Sequence, residues 1–113
     1  MMNAPSVPEI TAAELKERLD RGDPLVLVDV REPFEAQIAD LPEHGQKRIP
    51  TGDFPQRFSE LDPESEIVVY CRSGSRSAWA CAILAHQGYE KVLNLHGGVL
   101  GWRAEVDPSL AAY

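Results

Sequence analysis

The sequence is sparing with cysteine, with aromatic side chains and with positive charge. Its two cysteines, Cys71 and Cys81, are too few for a disulfide framework. They also have no partners at ligand spacing for a zinc site, so no metal or other cofactor is called for. Free thiols persist in a reducing compartment, which points to the cytoplasm. Against 18 Asp and Glu stand 11 Lys and Arg, a net charge of −7. That excludes non-specific DNA or RNA binding, which needs a basic footprint, and leaves room for a local basic pocket around a small anion. No apolar run approaches the ~20 residues of a membrane helix. The start, Met1 to Pro5, lacks the basic-then-apolar order of a secretory signal. No membrane partner is expected.

What remains is an ordinary globular composition, 43% apolar and 26% charged over 113 residues, the size of one domain. Residues 1–10, Pro-rich over the first eight, read as a loose lead-in. Thr11-Ala12-Ala13-Glu14 is a capping box, Ala12, Leu15 and Leu19 follow at helical spacing, and Gly22 supplies a stop, so the pattern predicts a helix over 12–21. Leu25 to Val30 is short, β-branched and almost wholly apolar, the pattern of a strand buried on both faces. Arg31-Glu32-Pro33 opens a second helix with Phe34, Ile38 and Leu41 as its apolar stripe. Residues 42–57 are punctuated by Pro and Gly, with room for a short strand at Arg48-Ile49 and a helical turn near Phe54 to Phe58. Ile67 to Tyr70 and Lys91 to Leu95 read as two further buried strands, Ser77 to Gln87 as a helix, and Gly97-Gly98 as a turn into a last helix carrying Val99, Leu100 and Trp102. Residues 106–113 form a tail with little pattern. Strands alternating with helices predict a parallel sheet covered on both faces, whose ligands sit at the carboxyl ends of the strands.

Cys71 stands at such an end. Between it and the following helix lie Arg72, Ser73, Gly74, Ser75 and Arg76. Small residues let successive backbone N–H groups turn inward as an anion-binding nest, the helix adds the positive end of its dipole, and the arginines add full charges. Each favours thiolate over thiol. Cys71 alone could be an inert buried strand end; a loop of two arginines, two serines and a glycine makes poor core and favours a reactive residue.

The segment Cys71-Arg72-Ser73-Gly74-Ser75-Arg76 after Ile67-Val68-Val69-Tyr70 resembles the active-site loop of the rhodanese-like sulfurtransferases. Asp29-Val30-Arg31-Glu32-Pro33-Phe34-Glu35 is similar to that family's first signature, and Leu95-His96-Gly97-Gly98-Val99-Leu100-Gly101-Trp102 to its closing segment. The likeness runs from about Thr11 to Trp102, within a domain of residues 11–105. The tail Val106 to Leu110 further resembles rhodanese domains fused to bacterial E1-like adenylyltransferases of sulfur-carrier pathways. The resemblance implies a three-layer α/β domain with a central parallel sheet and a thiosulfate-type sulfurtransferase. Cys71 would be the nucleophile that carries a persulfide, and the amides of Arg72 to Arg76 the cradle. The Arg72 side chain would meet an anionic donor, Arg76 would close the loop, and Asp29 would anchor it through an ion pair. It implies a small anionic sulfur donor and, as a further partner, a protein sulfur donor or acceptor. A binding or relay module of the same fold is the alternative. Related phosphatases have five residues between Cys and Arg; this chain has four, with Ser77 where that Arg would stand, which disfavours phosphate or arsenate chemistry. Asp40-Leu41-Pro42-Glu43-His44-Gly45 departs from the family's His-Ile-x-Gly-Ala stretch, so the pocket edge has its own shape.

The other notable residues have blander readings. Cys81 sits among Ala80, Ala82 and Ile83 as helix filler rather than a resolving thiol. His44, His86 and His96 are scattered surface or turn residues, and Trp79 and Trp102 are packing. Arg31 and Glu32 either line the pocket rim or pair with each other. Gly97-Gly98 permits a tight turn or a close approach to the active loop.

Overall fold

The computed structural model describes residues 7–113. Its elements run β1 (Glu9–Ile10), α1 (Ala12–Asp20), β2 (Leu25–Asp29), α2 (Pro33–Ile38), β3 (Lys47–Arg48), α3 (Phe54–Arg57, flanked by short 3-10 turns), β4 (Glu66–Tyr70), α4 (Ser75–His86), β5 (Val92–Leu95) and α5 (Gly98–Glu105). All pairings are parallel, in the order β1-β5-β4-β2-β3. This is the three-layer α/β arrangement the alternation predicts. Among the described residues no helix is long and apolar enough to cross a membrane.

The central strands alternate their burial between two cores. Val28, Val30, Ile67, Val69 and Cys71 face the core under α3 and α4. Leu25, Leu27, Val68 and Tyr70 face the core under α1 and α5. Period-two alternation with both sides apolar is what a sheet covered on both faces demands. The capping box forms as expected: the Glu14 amide donates to Thr11 Oγ1 at 3.1 Å, and the Thr11 amide to Glu14 Oε1 at 2.9 Å. Arg18 then forks onto Glu66 at 2.7 and 2.8 Å, tying α1 to the start of β4.

Three readings need correction. Of the lead-in, residues 1–6 lie outside the described residues, while Glu9 and Ile10 form β1, in register with Asn94 and Leu95. A two-residue strand is too short to show a period. The stripe assigned to α2 is also wrong: Phe34 is 62% exposed and Ile38 44%. They share one helix face at i, i+4 spacing. Glu35 turns inward from another face, and Ala39 and Leu41, beyond the helix end, are buried. Helix α4 begins at Ser75 rather than Ser77, so Arg76 lies in its first turn. The unpatterned tail is held in place: Val106, Leu110 and Tyr113 pack against the core under α1 and α5.

Candidate active site

The loop leaving β4 is closed by a glycine that the backbone requires. Gly74 has φ +112° and caps α4, a left-handed conformation that a side chain disfavours. With that turn made, the chain folds back over its own cysteine. Gly74 N donates to Cys71 Sγ at 3.1 Å and Ser77 N at 3.4 Å, and the Ser77 hydroxyl lies 3.3 Å away. Cys71 is 1% exposed. Burial pushes its thiol pKa up, but the Ser77 hydroxyl and the amides of Ser77, Gly74 and Ser73 together outweigh it, holding the group below its ordinary value. Hydrogen bonds to the charged form therefore win over desolvation.

The loop is braced from behind by groups that sequence reasoning passed over. Ser77 Oγ also lies 3.2 Å from the Gly74 carbonyl and 2.5 Å from Asn94 Oδ1, while Asn94 Nδ2 donates to that same carbonyl at 3.0 Å. A serine has one hydroxyl hydrogen, and the close Asn94 oxygen competes for it, so the amides are the steadier support of a thiolate. Both Ser77 and Asn94 are buried. A polar Asn in an otherwise apolar strand was the available signal.

The closing segment packs onto the loop backbone. Val99 N donates to the Cys71 carbonyl and Leu100 N to that of Arg72, each at 3.0 Å. A Cβ on Gly98 would collide with the Cys71 carbonyl oxygen and lie 2.6 Å from Arg72 backbone atoms. Gly98 (φ +57°) therefore serves both the turn and the close approach.

The ion pairs differ from those the family likeness suggested. Asp29 does not reach the loop arginine. Its Oδ1 accepts from the Arg31 amide and Nε at 3.0 and 2.9 Å, and its Oδ2 from Arg31 Nη2 at 3.0 Å and Arg48 Nη1 at 2.7 Å. Arg31 is buried, also binds Asp40 at 2.9 Å, and pairs with neither the pocket rim nor Glu32. A buried guanidinium needs several acceptors, and the departure at Asp40 supplies one. Arg76 instead forks onto Glu35 through both Nη atoms at 2.8 and 2.9 Å. Held by Arg76 against the upward push of burial, the Glu35 carboxyl falls to about 2.

Ser73 and Ser75 are exposed at the rim and Arg72 is half-buried. His44, His86 and His96 are exposed, as read. Trp102 is core, but Trp79 is 42% exposed: it sits on the solvent side of α4, where the small Ala78, Ala80 and Cys81 take the inward positions. Among the described residues no cluster of three His, Cys, Asp or Glu side chains could hold a metal ion.

Residues 11–105 match the family model described as the rhodanese-like domain. The chain belongs to the rhodanese-like domain family. This rhodanese-like domain is 41% identical over 105 residues to a protein of Allochromatium vinosum named sulfurtransferase, covering 93% of this chain and 96% of that one. It is 33% identical over 106 residues to the probable adenylyltransferase/sulfurtransferase MoeZ of Mycobacterium tuberculosis, covering 92% of this chain but only 26% of that protein. Among solved structures it superposes on a rhodanese-related protein of Thermoplasma volcanium with TM-score 0.79 at 27% identity, covering 95% of this chain and 100% of the other.

Proposed function

We propose that this rhodanese-like domain is a sulfurtransferase that moves sulfane sulfur from thiosulfate or a persulfide donor to a nucleophilic acceptor, with Cys71 as the covalent carrier. The observation that carries this reading is the convergence of amide donors on Cys71 Sγ at the carboxyl end of β4. In the first half-reaction the Cys71 thiolate attacks the outer sulfur of thiosulfate. The S–S bond of the donor breaks, sulfite leaves with the electron pair, and a Cys71 persulfide anion remains. In the second, a nucleophile such as a thiolate or cyanide attacks the terminal sulfur, and the Cys71 thiolate is the leaving group. The same donors that hold the thiolate suit the persulfide anion. Such thiol chemistry belongs in a reducing compartment such as the cytoplasm.

Phosphate or arsenate transfer is disfavoured by the loop's second arginine. Both Nη atoms of Arg76 are committed to Glu35, which leaves no guanidinium fork at that position to enclose a tetrahedral oxyanion.

The test is intact-protein mass spectrometry after incubation with thiosulfate, a persulfide adding about 32 Da for its one sulfur atom. The expected result is that gain in the wild type and in Cys81→Ser, its removal by cyanide, and its absence in Cys71→Ser. No gain from thiosulfate or from a protein persulfide would set the carrier reading aside in favour of a binding module.

A further inference from the structure

Arg72 follows the nucleophile directly, and its surroundings differ from those of most arginines in the chain. Arg18, Arg21, Arg31, Arg48, Arg57 and Arg76 each meet a carboxylate. Arg72 has no Asp or Glu side-chain partner among the described residues. It is held by Tyr113 alone: its Nε donates to the Tyr113 carbonyl, and its guanidinium carbon lies 5.3 Å from the centre of the Tyr113 ring. Neither contact uses the two Nη groups, which carry four N–H donors.

Tyr113 is itself fixed at its other end. Its hydroxyl accepts from Arg31 Nη1 at 2.8 Å and donates to Glu35 Oε1 at 3.0 Å. Glu35 is the residue that holds Arg76. One tail residue thus ties together the two arginines that bracket the Cys71 loop. The tail reaches this point because Val106 and Leu110 pack on the core and Arg103 Nε donates to the Leu110 carbonyl at 2.7 Å.

We infer that Tyr113 is a positioning residue for Arg72, holding its guanidinium by one edge and one face so that the Nη fork is presented to an anion approaching Cys71. A free arginine has rotamer freedom that must be lost before it binds; stacking on a ring and a main-chain acceptor remove that freedom in advance. The inference rests on the reading of Cys71 as the nucleophile that meets an anionic donor, and it deepens that reading by naming the residue that readies the anion receptor.

The test uses two alkylating reagents that differ in charge. Iodoacetate and iodoacetamide both attach a methylene carbon to Cys71 Sγ and release iodide, but only iodoacetate is an anion. The ratio of their rates reads anion recruitment, while any change in thiolate fraction or exposure moves both alike. Arg72→Gln is expected to lower the iodoacetate-to-iodoacetamide ratio roughly fivefold, the effect of one unit charge at contact distance in a wet site. Tyr113→Ala is expected to lower it by a similar factor, and the double variant no further, because the two act as a unit. Tyr113→Phe keeps the ring that Tyr113→Ala removes and is expected to stay within about twofold of the wild type. A ratio unchanged or raised in Tyr113→Ala overturns the inference, as does a ratio unchanged in Arg72→Gln. Should Tyr113→Ala unfold, seen as both rates climbing to those of a free thiol, Tyr113→Leu makes the same comparison with tail packing kept. The outcome is independent of the sulfur donor. Ratios that behave as expected alongside a wild type that gains no sulfur from thiosulfate would leave Tyr113 in its role and discard the donor.

Discussion

Cys71 and Cys81 lie ten residues apart, each is 1% exposed, and both face the core under α3 and α4. Yet their acidities part. Burial drives the Cys81 thiol up to about 12, with the nearby Cys71 adding to the effect. Burial acts on Cys71 too, but there the Ser77 hydroxyl and the amides of Ser77, Gly74 and Ser73 reverse it. The difference teaches that depth does not decide whether a buried thiol is inert. What decides is whether backbone N–H groups have been turned toward it, and here the loop with a left-handed glycine between strand and helix turns them. Inside α4 the amides around Cys81 are spent on the helix.

The comparison can be broken or sharpened by substitution. The largest effect expected is at Cys71 itself: Cys71→Ser should abolish both the sulfur adduct and fast alkylation, read by intact mass. Next comes Gly98→Ala. A methyl group there must displace the backbone of Cys71 and Arg72, and we expect a loss of about 3 kcal/mol in urea unfolding from the clash and the positive φ together.

Glu35→Gln removes the charge that holds Arg76 and one of the two oxygens that accept from it. The Glu35 carboxyl titrates lower in the folded chain, at about 2, than its ordinary 4.5 when unfolded. Its contribution is therefore fully present above about pH 4.5 and is lost as pH falls towards 2. Because the Arg76 side chain is 35% exposed, we expect roughly 2 kcal/mol rather than the full linkage value. The difference in unfolding free energy between wild type and variant should shrink across that acid window.

Smaller again is Ser77→Ala. With the amides left in place and Asn94 competing for the hydroxyl, the midpoint of the Cys71 alkylation profile should rise by roughly half a unit, about a threefold slower reaction below it. Cys81→Ala should not move that midpoint at all. A shift there would mean that the two thiols are coupled in function and would undo the contrast.

Much of the site was legible because its geometry is local. The order of β4, loop and α4, the small residues from Ser73 to Ser75, and the strand ends at Asp29 and Tyr70 follow from patterns within a few residues, where hydrophobic period and backbone sterics act. Even so, the main pull on Cys71 comes through Ser77 and three amides, with the charge of Arg76 adding to it.

The rest belongs to the tertiary structure. Nothing in the sequence near Asp29 says that its carboxylate goes to Arg31 and Arg48, nor that Glu35 crosses 41 positions to take Arg76. The outward turn of Phe34 and Ile38 was set by Glu35 claiming the inner face of a six-residue helix, with Ala39 buried just beyond its end. Tyr113 looked like the end of an unpatterned tail until packing carried it to Arg72. The sequence alone determined the covered parallel sheet and the cysteine loop at its carboxyl edge, because propensity, period and turn chemistry are properties of neighbours along the chain. Which charge meets which was decided only when the chain was folded, because an ion pair depends on distance in space, and competing acceptors such as Asp29, Glu35 and Asp40 cannot be ranked before packing has set those distances.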